Sequence, residues 1–129
     1  RDNPVFYVQY APARIHSTLR KAGVAPSAGA ALARLGPAEL ALVREAAQFP
    51  RVVEAAAQAR EPHRIAFFLF DLAAAFHSFW NAGNDAGGLR IIQVDEPELT
   101  GARLFMASQI GQVIRNGLAI LGVEAVEEM

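Results

Sequence analysis

The stretch from residue 62 to about residue 82, within "EPHRIAFFLFDLAAAFHSFWNA", limits what this chain can fold into more than any other segment. Ile65, Phe68, Leu69, Leu72, Phe76, Phe79 and Trp80 fall in one broad arc when wound at about 100° per residue. That pattern predicts the central helix of the domain. Phe67 and Phe70 fall on the other side, among His63, Asp71, His77 and Asn81, which burial of a single face does not explain. A second packing surface is implied, within the fold or beyond it.

The flanking segments carry the same helical period. From residue 4 to about residue 22, Val5, Val8, Ala11, Pro12, Ile15, Leu19 and Ala22 follow helical spacing, with Asn3 as the cap, Pro4 in the first turn and Gly23 as the stop. Residues 23 to 37 read as a connector with one short helix around Leu32 and Leu35. Pro37 opens another helix with Leu40, Val43 and Ala47 on one face; Phe49-Pro50 breaks it, and "RVVEAAAQAR" continues as a short helix. "NAGNDAGG" has the composition of a mobile loop. "LRIIQV" reads either as a short strand or as cover for the core. The last helix, residues 97 to about 121, lines up Leu104, Ala107, Gly111, Ile114, Leu118 and Leu121, and Gly111 and Gly117 admit a close neighbour. No repeat is present. The expected fold is all-α, an antiparallel bundle of about five helices in one domain over residues 1 to 129.

A chain of this length with 53% hydrophobic and 19% charged residues suits one globular domain. The absence of cysteine removes disulfides, thiolate metal sites and cysteine nucleophiles, and is compatible with a reducing compartment. Neither a signal peptide nor a membrane span is expected, and a chain that starts at Arg1 is expected to be part of a longer or processed protein. A net charge of −1 exerts no global pull on nucleic acid, so such binding requires a local patch.

Catalytic signals are sparse. The glycines of "GNDAGG" lack the Lys-Ser/Thr sequel of a phosphate-binding loop. His16, His63 and His77 lack zinc spacing and read as surface or capping residues. No serine has a nucleophile-elbow context, and Asp71 and His77 fall on opposite flanks of the polar side of their helix, which disfavours a relay between them. No metal site is expected.

The first helix carries a different signal. Tyr7, Tyr10, Arg14 and Lys21 project within about 60° of one another along the flank of its buried stripe. Aromatic faces beside cations suit single-stranded nucleic acid, where bases stack and phosphates meet Arg or Lys. The same pattern also suits tyrosines packed at the core's edge with their hydroxyls outward. Trp80 is open to the same two readings.

"DNPVFYVQYAPAR", "EPHRIAFFLFDLAAAFHSFWN" and "ARLFMASQIGQVIRNGLAILGVEAVEEM" together resemble the DALR anticodon-binding domain at the C-terminus of arginyl-tRNA synthetases, a family of class I aminoacyl-tRNA synthetases. The matching strings span residues 2 to 22, 61 to 81 and 102 to 129, in the family's order. The resemblance implies binding of the anticodon stem-loop of the arginine tRNA, with Tyr7 and Tyr10 against loop nucleotides. It carries contacts over to Trp80 and Met129 as well, and gives Arg14 a structural or phosphate-binding role. It further implies a cytoplasmic parent, arginine-tRNA ligase, that uses ATP and magnesium, with the catalytic domain as this domain's partner and neither membrane nor DNA as a ligand. The HIGH-like and KMSK-like signatures that bind ATP in the family do not occur in these residues, so no cofactor and no catalytic residue is expected here. Two departures stand out: Pro12 replaces a usual histidine, and Trp80 stands where tyrosine is commoner. Pro12 removes an amide from the helix and predicts a kink or widened turn between Val8 and Pro12. Two rival readings are a protein-interaction module using Phe67 and Phe70, and a small enzyme using Asp71 and His77 in a shared pocket.

Overall fold

A computed structural model describes residues 4 to 85 and 87 to 127. Among them are five α-helices: α1 (Pro4–Lys21), α2 (Pro37–Ala46), α3 (Phe49–Ala59), α4 (His63–Asp85) and α5 (Pro97–Ile120). Short 3-10 turns occur at Gly29–Arg34 and Gly87–Leu89. No strand forms among the described residues, and "LRIIQV" instead covers the core through Ile91, which is 4% exposed.

The central-helix expectation holds. Ile65, Leu69, Leu72, Ala73, Phe76 and Phe79 of α4 are buried, and α4 packs against all four other helices. Its length and composition would also suit a membrane span, but here its apolar arc is met by protein. Each fully buried Leu or Phe of that arc contributes about 1.5–3 kcal/mol relative to exposure.

α5 closes the other side. Gly117 is required by close approach, because a Cβ there would lie 2.6 Å from Cδ2 of Leu69. Gly111 faces Ile15 of α1 in the same way, at ordinary contact distance. The order of contacts along each pair of helices gives their directions: Leu69 in the first half of α4 meets Gly117 near the end of α5, while Gly83 near the end of α4 and Arg103 near the start of α5 both pack on Arg90, so those two are antiparallel. Tyr7 meets Phe70 and His77 while Arg14 meets His77 and Trp80, so α1 and α4 run the same way. α2 and α3 carry the chain back between them.

Several local expectations are corrected. α4 continues through the first five residues of "NAGNDAGG". In α2 the structure buries Leu42 and Glu39, leaving Leu40 and Val43 exposed at 42% and 40%. Val5, expected inward, is exposed at the start of α1. Pro12 does not break the helix: α1 is α-helical from Pro4 to Lys21, and Pro12 is fully buried in it. The Asn3 cap lies outside the described residues.

The chain after α5 returns along α1. Val123 N–H donates to the Leu118 carbonyl at 2.8 Å, turning the backbone, and Val123 and Ala125 then pack on the core. Gln9 Nε2 donates to the Glu124 carbonyl at 2.7 Å, which fixes this segment beside α1.

Candidate nucleic-acid interface

One open groove of about 1040 Å³ lies along the polar flank of α1. On that wall are Tyr10, Arg14, Ser17, Arg20 and Lys21, spaced so that helical winding brings them to one side. The last turns of α4 add Trp80 and Asn84. Leu89, Arg90, Ile92 and Val94 form the opposite wall, and Glu127 stands at one edge. Among the described residues, four cations therefore face the groove against one carboxylate, although the whole chain is near neutral.

Arg14 sits at the centre. Its guanidinium carbon is 4.8 Å from the centroid of the Trp80 ring, within cation–π range. Its Nη1 donates to Nδ1 of His77 at 3.2 Å. Partial burial lowers the Arg14 pKa, yet a guanidinium keeps its proton. His77 is itself buried, with Tyr7 at 5.1 Å and Phe76 at 6.0 Å between ring centroids. Burial lowers the His77 pKa most and the Arg14 charge adds to that, while the Tyr7 backbone opposes both without giving Nε2 a well-formed hydrogen bond. The neutral ring is thus the form that fits.

The loop wall is held from below. Arg103 of α5, 5% exposed, donates through Nε to Glu39 Oε2 at 2.8 Å and through Nη1 to the carbonyls of Gly88 at 3.0 Å and Arg90 at 2.6 Å. Glu39 completes the set by accepting from the Gly36 N–H at 3.1 Å. Thr100 Oγ1 accepts from Gln93 N–H and donates to the Gln93 carbonyl. At Gly83 the loop comes so close that a Cβ would lie 3.0 Å from the Leu89 carbonyl oxygen. Arg90 is placed by these contacts, and its Nε donates to the Gly83 carbonyl at 3.2 Å.

Chemically, the groove offers a half-exposed phenol, a half-buried indole and several cations on a firm floor. Flat rings can stack on Tyr10 and Trp80, and anionic oxygens can pair with Arg14, Arg20, Lys21 and Arg90. Among the described residues no group of three or more His, Cys, Asp or Glu side chains is placed to hold a metal ion.

Of the residues singled out in the sequence, Tyr10, Arg14, Trp80 and Lys21 meet in the groove. Tyr7 does not line it. Its ring is half-buried, 4.9 Å from Phe70 and 5.1 Å from His77, between the groove and the exposed phenylalanines. Met129 lies outside the described residues; Glu127, near it in sequence, lines the groove. Asp71 and His77 do not share a site: Asp71 is exposed and raises the pKa of Glu45, whose larger upward push is burial, whereas His77 faces α1. His77 also corrects the expectation of a surface or capping histidine, because α1 covers the flank on which it lies. Arg20, Arg90 and the loop wall were not singled out. Arg20 shares the helical flank of Lys21, a signal that was available; Arg90 carries none.

Residues 8 to 129 match the family model described as the DALR anticodon binding domain. The chain belongs to this family. This DALR domain is 66% identical to an arginine–tRNA ligase of Novosphingobium aromaticivorans, in an alignment that covers all of this chain and 22% of the relative. Its fold matches the arginyl-tRNA synthetase of Thermus thermophilus with a TM-score of 0.74 at 36% identity, over 95% of this chain and 21% of that one. A Campylobacter jejuni crystal structure assigned as an arginyl-tRNA synthetase matches with a TM-score of 0.82 at 30% identity, over 98% of this chain and 27% of that one. The DALR domain thus spans about a fifth to a quarter of the length of these relatives.

Proposed function

We propose that this DALR domain recognises the anticodon stem-loop of the arginine tRNA, as one part of a cytoplasmic arginine–tRNA ligase. The parent would join arginine to its tRNA with ATP and magnesium, in a catalytic domain outside this chain. The observation that carries the reading is the groove itself, where stacking surfaces and cations share one wall of α1. In this reading Tyr10 and Trp80 stack on unpaired bases while Arg14 and its neighbours meet phosphates. Tyr7 supports them from the adjacent turn and reaches the loop nucleotides at the groove's edge, and Met129 is the remaining residue assigned to contact with the loop.

The exposed Phe67 and Phe70 of α4 belong to the same reading as a surface for the parent's catalytic domain. Exposure of Phe67 at 65% is also what an independent protein-interaction module would require, but the family assignment favours the anticodon-binding role.

The test is a titration of the protein with an arginine-tRNA anticodon stem-loop at several salt concentrations. Binding should weaken with salt by a slope of about −0.7 per phosphate contacted on the unpaired strand. Salt-independent binding, or Tyr10→Ala and Trp80→Ala variants that bind like the parent sequence, would sink the proposal.

A further inference from the structure

The family reading accounts for Arg14 and Trp80 but not for the buried histidine behind them. His77 is 9% exposed, and its Nε2 is buried with no hydrogen-bond partner, which is a standing cost in a helix where an aromatic residue would fill the same space. What the imidazole supplies that a phenyl ring does not is Nδ1, an acceptor 3.2 Å from Nη1 of Arg14. A guanidinium has no acceptor of its own, so only an unprotonated Nδ1 can take this bond. That bond fixes one end of a side chain whose guanidinium lies 4.8 Å from the Trp80 ring centroid at the middle of the groove.

We propose that His77 is a positioning residue for RNA binding: its unprotonated Nδ1 holds Arg14 over Trp80, and protonation of the ring releases Arg14 and weakens the complex. The inference rests on the nucleic-acid reading of the groove. Protonation places a proton on Nδ1, turns an acceptor into a donor and sets two cations against each other. Arg14 on α1 is the charged group that acts on His77. From the other helices packed on α4, the charges of Glu39 and Glu45 on α2, Arg51 and Glu54 on α3, and Arg103 and Arg115 on α5 do not contribute to its titration. On α4 itself neither Asp71 nor His63 does so. Among the described residues, no carboxylate is therefore in place to hold the imidazolium. The direction of the effect is diagnostic, because protons ordinarily strengthen binding to a polyanion by adding positive charge.

Two readouts test the proposal on this chain, whose single tryptophan is Trp80. Without RNA, Trp80 fluorescence should change as pH falls below about 6.5, the ordinary histidine range. The change should be absent in His77→Asn, whose amide oxygen replaces Nδ1 as an acceptor without titrating, and largely absent in Arg14→Met. With an anticodon stem-loop, affinity should fall by about tenfold or more over the same window, the equivalent of one hydrogen bond to a charged group. His77→Asn should keep the neutral-pH affinity and lose the pH dependence, while His77→Phe should bind weakly throughout. His16, whose Nε2 lies 3.7 Å from Glu127 at the groove's edge, serves as the control, and His16→Gln should leave the profile unchanged. Affinity that is flat or rises on acidification, a profile that His77→Asn preserves, or fluorescence that titrates fully in Arg14→Met would overturn the proposal. RNA binding absent at every pH would instead overturn the nucleic-acid reading, and the fluorescence titration, which needs no RNA, would still decide whether His77 holds Arg14.

Discussion

Arg103 and Arg14 are each placed by a helix against the middle of the fold, yet they end in opposite situations. Arg103 is buried, and its guanidinium is bonded to the Glu39 carboxylate and to two carbonyls of the loop. Arg14 has one side-chain partner, a neutral imidazole, and the face of an indole, with the rest of its donors turned to the groove. A buried cation whose charge is met by a carboxylate and by two loop carbonyls serves the fold. One held at a single point is oriented and still has donors to give.

The largest effect should come from breaking the first arginine. Replacing Arg103 with Met strands the buried Glu39 carboxylate and frees two loop carbonyls, and should lower unfolding free energy by about 3–5 kcal/mol in urea titrations. Arg14→Met should change stability by much less, since its partner is neutral. An equal loss at both positions would erase the distinction. Next in size is Gly117→Ala, which forces a methyl to within 2.6 Å of Leu69 and should cost about 1–3 kcal/mol without touching the groove. Tyr10→Ala should do the reverse: unfolding within about 0.5 kcal/mol of the parent, because the ring is 44% exposed, and RNA affinity lower by about 1–3 kcal/mol. The smallest effect is expected from acid. The His77 pKa is lowered on folding, chiefly by burial, so the unfolded chain takes up the proton first. Stability from this group is complete above the unfolded value of about 6.5 and is lost as pH falls below it. The urea midpoint should therefore fall on mild acidification, and less so in His77→Asn.

Legibility in the sequence followed the range of the forces involved. The arc of α4, the line of small and apolar residues along α5 and the need for Gly117 were readable, because each depends on one helix's period and on having a neighbour of any kind. The buried face of α2 was not. Leu40 and Val43 have the look of a core face, but Glu39 is drawn inward by an arginine far along the chain, and Leu42 goes with it. The candidate site divided along the same boundary. Tyr10, Arg14 and Lys21 lie on one flank of one helix and were readable by winding alone. Tyr7 belongs to that flank by angle, but α4 passes beside it and offers Phe70 and His77. Arg90 reaches the groove because Arg103, Thr100 and Gly83 bring its loop there.

By itself, then, the sequence determined an all-helical domain, a cationic and aromatic flank on α1, and through its resemblance the family to which the flank belongs. These rest on periodicity and on local residue types, which one segment carries alone. Tertiary structure decided which side of α2 is buried, that Pro12 is accommodated in an unbroken helix, and that Trp80 and the 89–94 loop complete a groove with α1. It also decided that His77 is buried behind Arg14, with its Nδ1 as the acceptor for that guanidinium. Each of these depends on desolvation and pairing between segments far apart in the chain, and such terms have no value until the helices have packed.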